Sequence, residues 1–522
     1  MNTTGKRHNR FAILVIAAGL LCAAVLLAVN AAYDHKAGQT QANDEQILQT
    51  SALADKIPQI RALLIEEMRR ANIPGLSIAV VYRGETVYLA GYGFSDVASG
   101  TRADSNTLYQ LASNSKAFTA LGVLLLQEQG AINLSEPITT YLPWLTMRYQ
   151  NNTAAPTVEH FMHHTSGIPS RTITEIPIDD KPGAIERTVR RLVGTELVRK
   201  PGSAYEYATI NYDVLGLLIE QVTGQTYEQY ITEEILSPMG LSYTHAFDDY
   251  DERAMATGYK TGFGVPLAYR APDYDGNKPA GYLVSCVADM ARWLNVQLGT
   301  SAEPALNQSL IKASHKPNMT VEPFGDGLYY AAGWITDASQ TMVMHTGSNP
   351  NYSSNILFLP EEELGVAILC NTNATIAQAS AVKILYLLSK AGGVSPEGFD
   401  LHGAIDFIAC LVLAGALLCC SISILKQVML WREIRSGQRS FRLNTLGGVR
   451  IGVLVAAAAT ICVLVTLLPK LLFGGMDWTF LFVWYAPTLK MAVCCLYAAI
   501  GLACFHLCTR AVFLVSQSEA SL

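Results

Sequence analysis

Three apolar runs near the C-terminus constrain this chain more than any other feature. They lie at about 404–425, 451–473 and 489–507, and each approaches the roughly 20 residues that a helix needs to cross a bilayer. The loop between the first two carries Lys426, Arg432, Arg435, Arg439, Arg442 and Arg450 against Glu433 alone. Loops with that excess of basic residues stay in the cytoplasm, so the C-terminus is predicted inside and everything before the first run outside. Lys490, at the start of the third run, leaves an interfacial helix as the alternative there, although a lysine at a helix end can snorkel. The N-terminus agrees with this topology. Lys6, Arg7 and Arg10 precede the apolar run 11–29, and Asn30, Ala31 and Ala32 follow it, the pattern of an export signal that is either cleaved or kept as an anchor. The predicted organisation is a signal peptide or signal anchor over 1–33, a polar linker over 34–50, an exported domain over 51–398 and a three-helix transmembrane domain over 399–522.

Composition narrows the function classes. Half the residues are apolar and the mean hydropathy is positive, which is high for a soluble enzyme. The net charge of -6, without a basic block, argues against a nucleic-acid partner. Of the eleven cysteines, only Cys286 and Cys370 fall between the hydrophobic ends, so the chain is not a disulfide framework, and whether those two pair stays open. The exported part reads as mixed α and β. A hairpin is predicted from 76–82 and 86–92 around Arg83, Gly84 and Glu85, helices at 56–71, 117–127 and 211–222, and late strands at 333–336, 341–345, 354–359 and 365–370. Strands at both ends with helices between predict an α/β (α+β) sandwich whose sheet unites the termini of the domain.

Ser113 and Lys116 stand three residues apart where an apolar helix begins, a spacing that puts the amine beside the hydroxyl. A serine hydroxyl needs a base at neutral pH, and a desolvated lysine can serve. A second group, Tyr207-Ala208-Thr209, follows a Pro201-Gly202 turn and precedes a helix; a phenol near a lysine can relay a proton to and from Ser113. The third, His345-Thr346-Gly347-Ser348, ends a predicted strand whose edge can align a substrate backbone. There the Ser348 amide would face an oxyanion opposite the Ser113 amide. His160, His163 and His164 lack the acidic or cysteine partners of a common zinc motif, so a structural turn is expected there and no metal site.

Together, in this order, Ser113-x-x-Lys116, Tyr207-x-Thr209 and His345-Thr346-Gly347 resemble the active-site motifs of the serine β-lactamase and penicillin-binding protein superfamily, class C branch. Residues 163–167 and 238–241 resemble its framework motifs. The resemblance covers roughly 45–395. It implies a β-lactamase-type fold and an acyl-enzyme on Ser113, with Lys116 and Tyr207 as proton carriers and no cofactor. Two positions depart from the pattern. Thr209 stands where the family usually has Asn, and His345 where it usually has Lys, the cation that binds a substrate carboxylate. The second departure argues against β-lactam hydrolysis and carboxypeptidase action.

With three C-terminal membrane helices added, the chain looks like the membrane-bound prodrug-activating D-asparaginyl peptidases of nonribosomal peptide pathways, of the colibactin-maturing type with zwittermicin and xenocoumacin relatives. The likeness extends through 258–264, 349–354, 475–478 and 482–484. It implies removal of an N-acyl-D-Asn leader from an acylated peptide prodrug in the periplasm, by an enzyme held in the inner membrane lipid. Thr209, Lys278 and Asn349 align with the Ser, His and Asn that hold the leader side chain. Lys278 is a three-donor cation that could pair with a carboxylate, so a D-Asp leader competes with D-Asn. An exporter of the same pathway and a second copy of the chain are the other partners such a protein would have. The competing readings are a class C-like β-lactamase, D-amino peptidase or esterase, and a non-catalytic membrane sensor with a hydrolase-like head.

Overall fold

Residues 78–81 and 366–369 are apolar without a break, and strands of that composition need cover on both faces. In the computed structural model, which describes residues 41–301, 306–390 and 398–516, they pair with each other at the centre of a nine-stranded antiparallel sheet. The export segment at 1–33 lies outside the described residues. In chain order the strands are β1 (Ala42–Ile47), β2 (Gly75–Tyr82), β3 (Glu85–Asp96), β4 (Thr101–Arg102), β5 (Leu328–Tyr330), β6 (Ile335–Asp337), β7 (Val343–Asn349), β8 (Tyr352–Leu359) and β9 (Leu364–Cys370). In space they run β1-β3-β2-β9-β8-β7-β6-β5, with β4 beside β3. The N-terminal hairpin and the late strands thus form one sheet, as the α/β sandwich requires. Arg83 and Gly84 join β2 to β3 with φ of 52° and 82°, the two left-handed residues of a tight hairpin turn.

The helices that cover this sheet are α1 (Ile57–Arg70), α2 (Ser115–Glu128), α3 (Ile210–Thr223), the short α4 (Lys278–Gly281), α5 (Val287–Leu298) and α6 (Thr375–Leu388). Side chains alternate across a strand, so Ile78, Val80, Val366 and Ile368 face one core with α1 and α6. Ala79, Val81, Ala367 and Leu369 face the larger core with α2, α3 and α5, where Phe118 stacks on Trp293 with ring centroids 4.0 Å apart. Cys286 and Cys370 are separate buried free thiols, and burial pushes each up to about 12.

The linker expected over 34–50 needs correction where it is described. Residues 42–47 form β1, an edge strand on β3, with Asn43 Nδ2 donating to the Gly93 and Ala103 carbonyls at 3.2 and 2.9 Å. Polar residues suit an edge strand with a wet face as well as they suit a linker, so composition alone misread them.

The described chain divides into two compact units, residues 41–260 with 266–401 and residues 261–265 with 402–516. The second contains three helices long and apolar enough to cross a membrane: α7 (Leu401–Arg435), α8 (Thr445–Leu472) and α9 (Pro487–Val512). Asn444 caps α8 by accepting from the Gly447 amide at 2.7 Å. Small side chains, among them Gly415, Ala416, Ala457, Ala458 and Ala503, line an apolar cavity of about 450 Å³ within this unit.

Candidate active site

Leu111 to Asn114 make a sharp turn into α2. Ala112 is fully buried with φ of 48°, a conformation that costs a residue with a Cβ and survives only where its surroundings enforce it. Ser354 of β8 supplies part of that enforcement: its hydroxyl donates to the Leu111 carbonyl at 2.6 Å and accepts from Asn114 Nδ2 at 2.8 Å. Ser113 sits in this turn, and one helical turn later Lys116 returns to it. Lys116 Nζ lies 3.0 Å from Ser113 Oγ, and the Tyr207 hydroxyl lies 3.0 Å from the same oxygen.

Lys116 is fully buried, and among the described residues its other two hydrogen-bond partners are Thr209 Oγ1 at 3.0 Å and the Ala280 carbonyl at 2.6 Å. As a neutral amine it has two N–H groups, which those two oxygens accept, and its lone pair is then left for the Ser113 hydroxyl proton. Thr209 therefore fills the position usually held by Asn with a hydroxyl that still holds the lysine. The Ala280 carbonyl has no signature in the sequence, because every residue carries one.

His345 does not replace the missing cation. The ring is buried, and burial together with the Lys116 charge pushes it down to about 3, against the pull of the Thr346 carbonyl. Nδ1 lies 2.7 Å from that carbonyl, which only accepts, so Nδ1 carries the hydrogen and Nε2 accepts from the Tyr330 hydroxyl at 3.0 Å. Nothing in the sequence pointed to Tyr330. His164 is held neutral in the same way, well below its ordinary value, by burial and then by Lys116; its ring packs 4.2 Å from that of Tyr207. The three histidines of 160–164 go to separate partners: His160 Nδ1 accepts from the Thr157 amide, His163 Nδ1 lies near the Tyr330 carbonyl, and His164 Nδ1 faces Asn211.

β7 passes directly against the Ser113 turn. A Cβ on Gly347 would stand 2.4 Å from the Leu111 carbonyl oxygen, so only glycine permits the approach. β6 pairs with β7 through Val343 and Met344 alone, which leaves 345–349, with Ser348 among them, without a strand on that side. An extended substrate can add there as the next strand.

Of the residues aligned with the leader pocket, Asn349 bonds α4 directly and Thr209 reaches it only through Lys116. Lys116, held by Thr209, binds the Ala280 carbonyl, and Asn349 Nδ2 donates to the Gly281 carbonyl at 2.9 Å and to Gln110 Oε1 at 2.7 Å. Lys278, the first residue of α4, turns its ammonium to Asp248, Asp275 and Glu228 at 3.2, 3.5 and 3.8 Å. Burial opposes this charge, but the three carboxylates outweigh it and hold Lys278 above its ordinary value. Gln110 and Lys278 also line a cavity of about 730 Å³ with Asp248, Tyr282, Asn351 and Tyr352, a size that suits a drug-sized ligand.

The family model described as Beta-lactamase matches residues 60–389. The chain belongs to the Beta-lactamase family. This is a family of serine hydrolases that includes the penicillin-binding proteins. Among its relatives, Protein flp of Staphylococcus aureus (strain MW2) is 29% identical over 445 residues, covering 84% of this chain and 88% of its own length. That share exceeds what residues 1–389 could supply, so the likeness runs on past the family model into α7. A Beta-lactamase of Escherichia coli (strain K12) is 27% identical over 347 residues, covering 59% of this chain and 86% of its own length. The octameric penicillin-binding protein homologue from Pyrococcus abyssi superposes with a TM-score of 0.58 at 28% identity, over 64% of this chain and 77% of that one.

Proposed function

We propose that this Beta-lactamase family member is a membrane-bound serine peptidase. It removes an N-acyl-D-Asn leader from a nonribosomal peptide or polyketide prodrug, with its catalytic unit on the periplasmic side of the inner membrane. The observation that carries the reading is the neutral, buried His345 beside an assembled Ser113, Lys116 and Tyr207. A site with this base system and no third-motif cation suits an amide whose leaving amine carries no free carboxylate.

In this mechanism Lys116 or Tyr207 takes the Ser113 proton as Oγ bonds to the carbonyl carbon. The resulting oxyanion rests between the Ser113 and Ser348 amides. The C–N bond then breaks, the amine leaves with a proton from Tyr207, and the leader stays as an ester on Ser113. Water attacks this ester, gives its proton to the same bases, and releases N-acyl-D-Asn as Ser113 regains its hydrogen.

The polar groups around α4 favour asparagine over aspartate. Asn349 spends both N–H groups on Gln110 and Gly281, so what it has left for a ligand is its carbonyl oxygen, an acceptor. The Lys278 ammonium already has three carboxylates around it, and a fourth would add repulsion. A carboxamide NH₂ suits these surroundings and a carboxylate does not.

The test is N-acyl amides of D-Asn, L-Asn, D-Asp and D-Leu compared by mass spectrometry. D-Asn is expected to be cleaved fastest, with D-Asp and D-Leu lower by on the order of 10²-fold or more in kcat/KM, because polar groups left unpaired carry a desolvation cost. Equal cleavage of L-Asn and D-Leu would overturn the leader assignment.

A further inference from the structure

Asn351 is only 4% exposed, and it lines the cavity of about 730 Å³ that Gln110 and Lys278 share. Its Nδ2 donates to the Tyr269 carbonyl at 2.8 Å; a carbonyl only accepts, so the amide nitrogen is fixed there and Oδ1 is the other end. Among the described residues nothing donates to that Oδ1. A buried acceptor without a donor costs free energy, which a ligand with N–H groups would recover. Gly258 makes room for the amide, since a Cβ there would stand 2.1 Å from Asn351 Nδ2. The rest of the wall asks for positive charge. Asp180, Asp248, Glu252, Asp273 and Asp275 line the cavity against Arg270 and Lys278. Lys278 is taken up by Asp248 and Asp275, and Arg270 lies 3.8 Å from Asp273, while Asp180 and Glu252 make no ion pair among the described residues. We propose that this cavity is a substrate subsite for a protonated amine, whose N–H groups are met by Asn351 Oδ1 and the unpaired carboxylates.

The aromatic part of the wall suits the same ligand. Tyr250, Tyr274, Tyr282 and Tyr352 line the cavity, and an ammonium is attracted to the face of such a ring. The structure holds one example: Lys260 Nζ stands 3.5 Å from the Tyr269 ring centroid, its charge weakened because burial draws it down to about 7. The Tyr352 hydroxyl donates to the Ala256 carbonyl at 2.6 Å, so its oxygen too is left as an acceptor. Burial pushes the Tyr250 hydroxyl up to about 12, and Asp248, Glu252 and Asp273 push in the same direction, as a negative cavity would. Among the described residues no group of three histidine, cysteine or carboxylate side chains could hold a metal ion, so the cation that fits here is an organic one. Gln110 ties the cavity to the catalytic turn. It stands three residues before Ser113, and its Oε1 accepts from Asn349 at the end of β7. A substrate laid along β7 with its carbonyl at Ser113 therefore has the cavity beside it, within reach of an arm that ends in an amine.

The inference rests on the Ser113 chemistry proposed above and not on the leader, so its probes carry no leader. Two series of alkyl fluorophosphonates are used, in which Ser113 Oγ bonds to phosphorus and fluoride leaves. They differ only at the end of an alkyl chain of graded length, a primary ammonium in one series and a methyl group in the other. Labelling rates are measured on the full chain in detergent at neutral pH. At the length that reaches the cavity, the ammonium probe should react about tenfold faster than its methyl counterpart or more. Asn351→Leu, and the double variant Asp180→Asn with Glu252→Gln, should each lower that ratio by about threefold or more. A ratio taken on one preparation cancels any loss of folded protein, so the test survives a variant that folds poorly. Equal rates for the two probes at every length overturn the subsite. So does an advantage that either variant leaves intact, which would belong to the field of the whole surface. No labelling by either series would overturn the serine mechanism itself, so that failure and the failure of the subsite are told apart.

Discussion

Ser113 Oγ has two neighbours able to take its proton, and each should be indispensable for a different reason. Lys116→Ala removes the amine 3.0 Å from the hydroxyl, and Tyr207→Phe removes the phenol at the same distance. Either change, like Ser113→Ala, is expected to reduce turnover of an N-acyl-D-Asn amide by about 10³-fold or more. The Ser113→Ala, Lys116→Ala double variant should be little worse than Ser113→Ala, because groups that act as a unit lose activity non-additively. Steady-state rates on purified protein check this, and substantial cleavage by Ser113→Ala would remove the mechanism. His345 makes a separate prediction about pH. Its folded value is depressed, so the fold holds the neutral ring, while in the unfolded chain the ring takes up a proton below about pH 6.5. The stability it contributes is therefore complete above that pH and is lost as pH falls toward about 3. Relative to His345→Gln, the wild-type protein should lose about 1.4 kcal/mol of unfolding free energy for each unit between pH 6 and 4. Denaturant melts of both proteins at several pH values would show it; a constant difference would mean that the ring is not held neutral.

Two elements place the site, and they differ in how visible they are in the sequence. The spacing of Ser113 and Lys116 is local, so a helix beginning there brings them together whatever the rest of the chain does. β7 meets the Ser113 turn only because β8 carries it there. The glycine at 347 marks this meeting, since a methyl group would overlap the Leu111 carbonyl and the Ser354 hydroxyl. Gly347→Ala is expected to cost about 1–3 kcal/mol of stability and to lower kcat more than it raises KM, because the strand that aligns the carbonyl is pushed away from Ser113. Thermal melts and kinetics on one preparation test both parts; an unchanged kcat would mean that β7 does not set the register. α4 left no such mark. Its role lies in three backbone carbonyls, which no residue type announces.

At the scale of the whole molecule the chain divides into two compact units, and apart from residues 261–265 the family model lies within the first. A chain ending after residue 400, with the contacts of Gly398 and Phe399 to Arg70 and Thr375 retained, is expected to fold and to cleave a small soluble amide. In cells it should process a lipidated precursor poorly, because holding enzyme and substrate at one surface raises their effective concentration. Precursor and product measured at matched expression decide the matter. Equal processing would mean that the helices serve something other than encounter.

By itself the sequence determined the sandwich, the three apolar helices and the pairing of Ser113 with Lys116, because each rests on periodicity, run length or a spacing of a few residues. It misread 42–47, where polar residues suit an edge strand and a linker equally well. The tertiary structure decided the rest through groups far apart in the chain. It set Tyr207 against Ser113, it closed Tyr330 onto a neutral His345, and it surrounded Lys278 with Glu228, Asp248 and Asp275. The type of a histidine or a lysine fixes what charge it can carry. Burial and neighbours fix what charge it does carry, and only the fold supplies those.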